Sequence, residues 1–294
     1  MTINAMTIDV EEHFHVSVFD GLVPRDRWTR LESRVCANTG RLLQILGDAD
    51  VRATFFVLGC VAERFPQLVR DIASQGHEVA SHGYAHRLIS DQTAQAFRDD
   101  VRRAKALLES ITGLPVRGYR APSYSVTPRT LWALDILADE GHEYDASIFP
   151  IHHDRYGIPL SPRHPYIVRR NGRTLIEAPA STTAVGPLNL PIAGGGYFRL
   201  LPYAWTHWGI SRVNLREGRP VIFYLHPWEI DPDQPRLDAG LISRFRHYRN
   251  LGKTEHRLRR LLGDFRFGPM AAVLDVTADP DPVGLPALTL PYLW

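Results

Sequence analysis

Between residues 5 and 147, five short strand-like runs, the first two of them apolar, alternate with four amphipathic stretches of helical period, and few folds accept that order. The runs are 5–10, 53–58, 77–81, 117–121 and 143–147, and the helical stretches are 38–46, 62–74, 93–111 and 128–140. Within 93–111, Phe97, Val101, Ala104 and Leu108 recur at helical spacing, opposite Arg98, Asp99, Arg102 and Lys105. Asn38 caps the first helix and Pro128 opens the fourth, while Gly76 and Gly141 stop the second and fourth. Short links between strand and helix force successive strands to run parallel with helices covering them. The expected fold is therefore α/β, a parallel sheet or barrel.

The alternation breaks after Phe149. A Pro/His-rich loop (150–165) leads to a hairpin (166–177) turning at Asn171-Gly172, a type I′ pair. A helix at 203–215, a strand at 221–225 and basic amphipathic helices at 239–248 and 254–262 follow, then a Pro-rich strap from Asp279. Gly194-Gly195-Gly196 lacks the strand-then-helix setting and the Lys-Ser/Thr ending of a phosphate loop, which argues against nucleotide binding. No stretch is poor enough in apolar residues to separate independent domains. The expected division is a main unit over 1–230 and a helical extension over 231–294 packed on the same barrel.

A formal charge of +2 over 294 residues gives no electrostatic case for nucleic acid as a partner. Only Cys36 and Cys60 are present, so a disulfide framework is not expected, which fits a reducing compartment. The N-terminal residues lack a basic region followed by an apolar one, and no run is long and apolar enough to span a membrane. The expected location is cytoplasmic.

Five polar stretches fall at the ends of predicted strands. They are Asp9 with Glu11 and Glu12, the His82/His86 pair, Arg120 with Tyr124, Asp145, and His226 ahead of Trp228 and Glu229. On a helical turn the four-residue spacing of His82 and His86 would stack both rings on one face, able to share a metal ion. A lone pair of this kind is weak among 13 histidines. Strand ends of one parallel sheet converge on one rim, however, and that makes the five stretches a set. Two neutral imidazoles and a carboxylate leave coordination positions open, as hydrolytic metal sites require. A second carboxylate can take a proton from water and a further histidine can protonate a leaving group.

In order, the stretches TIDVEE (7–12), SHGYAH (81–86), RAPSY (120–124), YDAS (144–147) and LHP (225–227) resemble the polysaccharide deacetylases, carbohydrate esterase family 4. The nearest branch is similar to the exosortase-associated deacetylases of bacterial exopolysaccharide systems, through GGGYFRLLP (194–202) and the extension from Phe245 to Leu262. The resemblance implies a distorted (β/α) barrel of fewer than eight strands. It implies a divalent ion, Zn²⁺ or a substitute such as Co²⁺, and hydrolysis of the linear amide of an N-acetylated sugar. On that pattern Asp9 is the general base, Glu11, His82 and His86 are ligands, and Arg120 orients Asp9. His226 is the general acid, tuned by Asp145, and Tyr124 offers its backbone N–H to the oxyanion. Tyr197, Arg199 and Trp228 line the sugar site.

The commonest family motif has adjacent aspartates, whereas Val10 separates Asp9 from Glu11 here, so Glu12 stays open as the third ligand. The natural substrate is expected to be an exopolysaccharide or its lipid-linked precursor, with possible partners in the assembly machinery and peripheral contact with the inner membrane. Two other readings remain: a hydrolase of another amide, such as a cyclic ureide, and a non-catalytic carbohydrate-binding or assembly protein.

Overall fold

The computed structural model describes residues 2–16, 19, 21–153, 155–170, 172–276 and 285–288. In chain order the alternation runs β1 (Ile3–Val10), α1 (Val35–Asp48), β2 (Thr54–Val57), α2 (Gly59–Arg64), α3 (Pro66–Ser74) and β3 (Glu78–Ser81). It continues with α4 (Ala94–Thr112), β4 (Gly118–Tyr119), α5 (Trp132–Asp139) and β5 (Tyr144–Asp145). The hairpins β6 (Tyr166–Arg170)/β7 (Arg173–Glu177) and β8 (Thr182–Val185)/β9 (Leu188–Pro191) follow. Then come α6 (Gly195–Leu200), α7 (Tyr203–Arg212), β10 (Ile222–Leu225), α8 (Leu241–Tyr248), α9 (Leu251–Asp264), β11 (Arg266–Gly268), α10 (Met270–Val273) and β12 (Ala287–Leu288).

The main sheet has the order β10-β1-β2-β3-β4-β5-β7-β6-β12, with β11 also on β1. From β10 to β7 every neighbouring pair is parallel, and β6 turns back antiparallel to β7. Ala5, Phe56, Ala80, Tyr144, Ile176 and Ile222, from six of these strands, form one buried cluster with Met270, which only a curled sheet allows. A small barrel has little room inside, hence the alanines. Gly118 completes the fit, since a Cβ there would lie 2.1 Å from the Tyr144 ring. The gap between β10 and the segment after β7 is bridged by a side chain, Ile222 N–H donating to Ser181 Oγ at 2.8 Å. The fold is thus a mixed α/β, distorted barrel with C-terminal helices.

Alternation along the strands separates the layers. Met6, Ile8 and Val10 of β1 point outward into a larger core with α1, α3 and α9. The α4 stripe is fully buried as its period predicts, with Thr93 accepting from Ala96 N–H at the N-cap and Gly113 in the left-handed region at the end. The C-terminal segment is bound into the barrel: β11 pairs with β1, and Arg257 donates to the carbonyls of Phe198, Arg199 and Leu201.

Several local expectations need correction. Helix α5 starts at Trp132 rather than Pro128, and the 203–215 helix ends at Arg212 in a wider turn over Val213–Glu217. Strands β8, β9 and β11 have no counterpart in the sequence reading, being short and, for β9, only half-buried. Asn171, in the expected hairpin turn, lies outside the described residues, as does most of the strap from Asp279.

Candidate active site

The same alternation decides which polar groups meet. In β1, Ala5 and Thr7 point into the barrel, and Asp9 and Glu11 continue that face beyond the rim. Glu12 has the opposite parity and turns away, accepting from the Ser33 hydroxyl and from the Arg34 N–H at 3.1 Å. Glu11 therefore meets the two histidines: its Oε2 lies 2.9 Å from His86 Nε2 and 3.9 Å from His82 Nε2. One ligand atom from each of the three falls within 4.8 Å of the others, and all three side chains are buried.

The two rings do not stack on a helix, as their spacing suggested; residues 82–86 form a loop. Gly83 and His86 both take positive φ, 74° and 49°, and bend the chain so that the rings approach at 5.5 Å. The loop is clamped from several sides. The first amides of α2, on Gly59 and Cys60, donate to the carbonyls of Gly83 and Tyr84 at 2.9 Å each. Asp100 accepts from the Tyr84 N–H at 2.7 Å, and Arg25 donates to the carbonyls of Ala85 and His86.

His82 Nδ1 faces the Arg120 carbonyl at 2.8 Å. A carbonyl only accepts, so Nδ1 carries the proton and the Nε2 lone pair is left for a cation. Two imidazole nitrogens and a carboxylate oxygen, with a fixed tautomer on one ring, fit a Zn²⁺-type ion with open positions. Burial opposes the charge on Glu11, yet His86, His226 and His82 hold its carboxyl well below the usual range. Burial pushes His82 down to about 4, keeping it neutral.

Asp9 and Arg120 form the next layer. Arg120 Nη1 donates to Asp9 Oδ1 at 2.7 Å and to Thr7 Oγ1 at 2.8 Å, while Nε reaches the Ala146 carbonyl at 3.2 Å. Its guanidinium lies 4.2 Å over the Phe56 ring, leaving little freedom to move. Asp9 Oδ2 is 3.8 Å from His226 Nε2.

His226 follows β10 and enters a 3₁₀ turn (Pro227–Ile230), where residues three apart share a face. Glu229 thus reaches back to His226 Nδ1 with Oε1, and its Oε2 accepts from Arg199 Nε at 2.8 Å. Arg199 Nη1 is anchored on the carbonyls of Arg246, His247 and Arg249. Burial disfavours charge on His226, but Glu11, Glu229 and Asp9 outweigh it and push its pKa up to about 9.

Asp145 and Tyr124 stand differently from the roles expected of them, while Arg199 and Trp228 line the cleft as expected and make further contacts behind it. Asp145 has outward parity and pairs with the Ser147 hydroxyl, opposite Glu177 in β7; Glu229 occupies the place beside His226. The Tyr124 N–H is engaged, donating to the Ala121 carbonyl at 3.2 Å in a turn where Ser123 and Tyr124 both have φ 53°. Arg199 is buried and spends Nε and Nη1 on protein acceptors, so it supports Glu229. Trp228 is 4% exposed, sandwiched between His226 and His247, and donates its indole N–H to Glu11 Oε1 at 3.2 Å. Tyr197 is half-buried on the cleft wall, edge-on to Phe149.

Sequence reasoning missed Glu229 and His247. The three-residue spacing in His-Pro-Trp-Glu was the available signal for Glu229; nothing local marks His247. The glycines at 194–195 serve packing, since a Cβ on either would strike Tyr224 at 2.2 or 2.6 Å. Asp9, Glu11, His82, His86, His226 and Glu229 open onto a cleft of about 1100 Å³ lined also by Tyr156, Arg129 and Arg155. Among the described residues no helix is long and apolar enough to cross a membrane.

Residues 31–142 match the profile of the polysaccharide deacetylase family, and residues 146–275 that of a domain of unknown function. A peptidoglycan-N-acetylglucosamine deacetylase of Bacillus cereus is 31% identical over 98 residues, 33% of this chain and 36% of that protein. A chitooligosaccharide deacetylase of Sinorhizobium fredii is 37% identical over 103 residues, 34% and 44% of the two chains. The matches thus span well under half the length of these relatives. In three dimensions the chain is similar to a Mycobacterium smegmatis protein provisionally named a polysaccharide deacetylase, with TM-score 0.61, 22% identity and coverage of 92% and 88%. It superposes equally on an allantoinase, with TM-score 0.61, 15% identity and the same coverage. At these identities the two structures share the fold.

Proposed function

From the premise that this chain belongs to the polysaccharide deacetylase family, we propose that it is a metal-dependent hydrolase removing acetyl groups from N-acetylated sugars. The substrate in this reading is a bacterial exopolysaccharide or its lipid-linked precursor. The observation that carries it is the meeting, on one rim, of the Glu11/His82/His86 cluster, an arginine-held aspartate and a carboxylate-held histidine.

Glu11, His82 and His86 would hold the cation, whose chemistry when bound is that of a Lewis acid polarising a carbonyl and acidifying water. Asp9, aimed by Arg120, takes the proton of the attacking water. His226, kept protonated by Glu11 and Glu229, delivers a proton to the sugar nitrogen as the amide C–N bond breaks and acetate departs. Trp228 and Arg199 are positioning residues, one for Glu11 and the other for Glu229. Tyr124, Tyr156 and Tyr197 offer flat apolar faces to a sugar ring. The size of the cleft, at or above the usual range of about 300–1,000 Å³ for small-ligand sites, favours a saccharide over a small cyclic ureide. Contact with exopolysaccharide assembly machinery, and work in the cytoplasm or at its membrane surface, belong to the same proposal.

The test is acetate release from N-acetylglucosamine oligomers and from the native polymer by protein loaded with Zn²⁺ or Co²⁺. Chelation should abolish release and metal should restore it. Metal-loaded protein that frees no acetate from any substrate, or a His226→Ala variant as active as the parent, would sink the reading.

A further inference from the structure

Helix α8 turns its apolar side chains to solvent. Leu241, Ile242 and Phe245 are 84%, 70% and 54% exposed, and only His247 in this helix is buried. At the α-helical rotation of 100° per residue the three fall within an arc of about 100° and form one surface. Large apolar groups clustered on a solvent face mark a contact site.

What covers them is indicated by charge. Arg244, Arg246 and Arg249 are exposed around the arc, and the helix carries no acidic residue. Asp238, beside Arg244 at 3.7 Å, is itself fully exposed. Arg249 lies 5.2 Å over the Phe245 ring, and the Arg246 guanidinium has no hydrogen bond or ion pair among the described residues. A symmetric contact with a second copy would set these arginines against their own images. Rings and alkyl chains flanked by guanidinium groups match an anionic bilayer surface, where the former enter the headgroup boundary and the latter meet phosphates.

Position adds a consequence. Ser243 and Arg246 of the same helix line the cleft of about 1100 Å³. We propose that α8 seats the protein on an anionic membrane surface with the cleft mouth at the headgroups, so that a saccharide is reached while still attached to lipid. The last clause rests on the deacetylase reading; the docking itself does not.

Vesicle co-sedimentation tests it without any turnover. The wild-type protein should bind phosphatidylglycerol/phosphatidylcholine vesicles at low ionic strength, release at high, and ignore pure phosphatidylcholine. The double variant Leu241→Ser/Phe245→Ser should lose about tenfold or more in vesicle affinity. Its circular dichroism and its acetate release from a soluble oligosaccharide should match the parent. The inference is overturned by wild-type protein that stays in solution with anionic vesicles, by equal binding to pure phosphatidylcholine, or by a variant that binds undiminished. A wild-type dimer that the substitutions convert to monomer, with no vesicle binding by either, overturns it too. Failure of acetate release alone would count against the deacetylase reading and leave the docking result standing.

Discussion

The two flanks of the site are held by different means. On one, Asp9 is buried in the barrel rim and a single arginine, three strands across at the end of β4, grips it directly. On the other, His226 is 16% exposed and its orientation depends on Glu229, then Arg199, then the carbonyls at the C-terminal end of α8. A side chain within a strand is aimed first by register, and one direct partner is enough to hold it. One on a turn beyond the strand end needs a chain of hydrogen bonds to hold it. The first flank is therefore set by the sheet, and the second by contacts that tie it to the C-terminal helices.

Substituting the reacting groups should sharpen this contrast most. Asp9→Asn and His226→Ala should each lower kcat by about 10²- to 10⁴-fold with little change in KM, measured as acetate release. If only one of them mattered, the division into two proton-handling flanks would break. A smaller effect is expected where the flanks meet at the cation. Trp228→Phe removes the donor to Glu11 and should weaken metal affinity by about 10- to 100-fold, measured by competition with a chelator. Unchanged affinity would mean that the indole only fills space.

The His226 flank should reveal itself through pH. His226 has a folded-state pKa of about 9, above its ordinary 6.5. Its charge therefore stabilises the fold fully below about 6.5, and that contribution fades as pH rises through about 9. Glu229→Gln removes one of the groups holding the proton, so the alkaline limb of kcat/KM should move to lower pH, with kcat reduced about tenfold. An unmoved limb would show that Glu229 does not govern the acid.

The smallest effect belongs to Asp145→Asn. Asp145 faces away from the site, and burial beside Glu177 pushes its carboxyl up. Its neutral form suits the fold, so stability falls as pH rises above the ordinary 3.8, and the asparagine should flatten that slope. Activity should stay within about twofold of the parent. A shift of the alkaline limb by this variant, and none by Glu229→Gln, would reverse the assignment.

Legibility followed the range of the interactions. The α4 stripe and the buried strands were readable because period 3.6 and compact apolar runs are local. Asp9, Glu11, His82, Arg120 and His226 were readable as a group because parallel strands end on one rim. The choice between Glu11 and Glu12 also followed from the sequence in principle: residues two apart share a strand face, and Asp9 with Glu11 has that spacing. The four-residue spacing of His82 and His86 suits a helical turn or a loop equally, and two left-handed residues let a loop bring the rings together.

The amino-acid sequence by itself determined the order of elements, the polar residues at the strand ends and their family pattern, since each depends on neighbours a few positions away. Tertiary structure decided which carboxylate serves His226, because Asp145 and Glu229 differ only in how a strand face and a 3₁₀ turn aim them. It decided that Arg199 and Trp228 stand behind the reacting groups, through contacts spanning 30 and 217 positions. It decided as well that α8 shows Leu241, Ile242 and Phe245 to solvent. An amphipathic period says that a helix has an apolar face; only packing says whether the protein covers it.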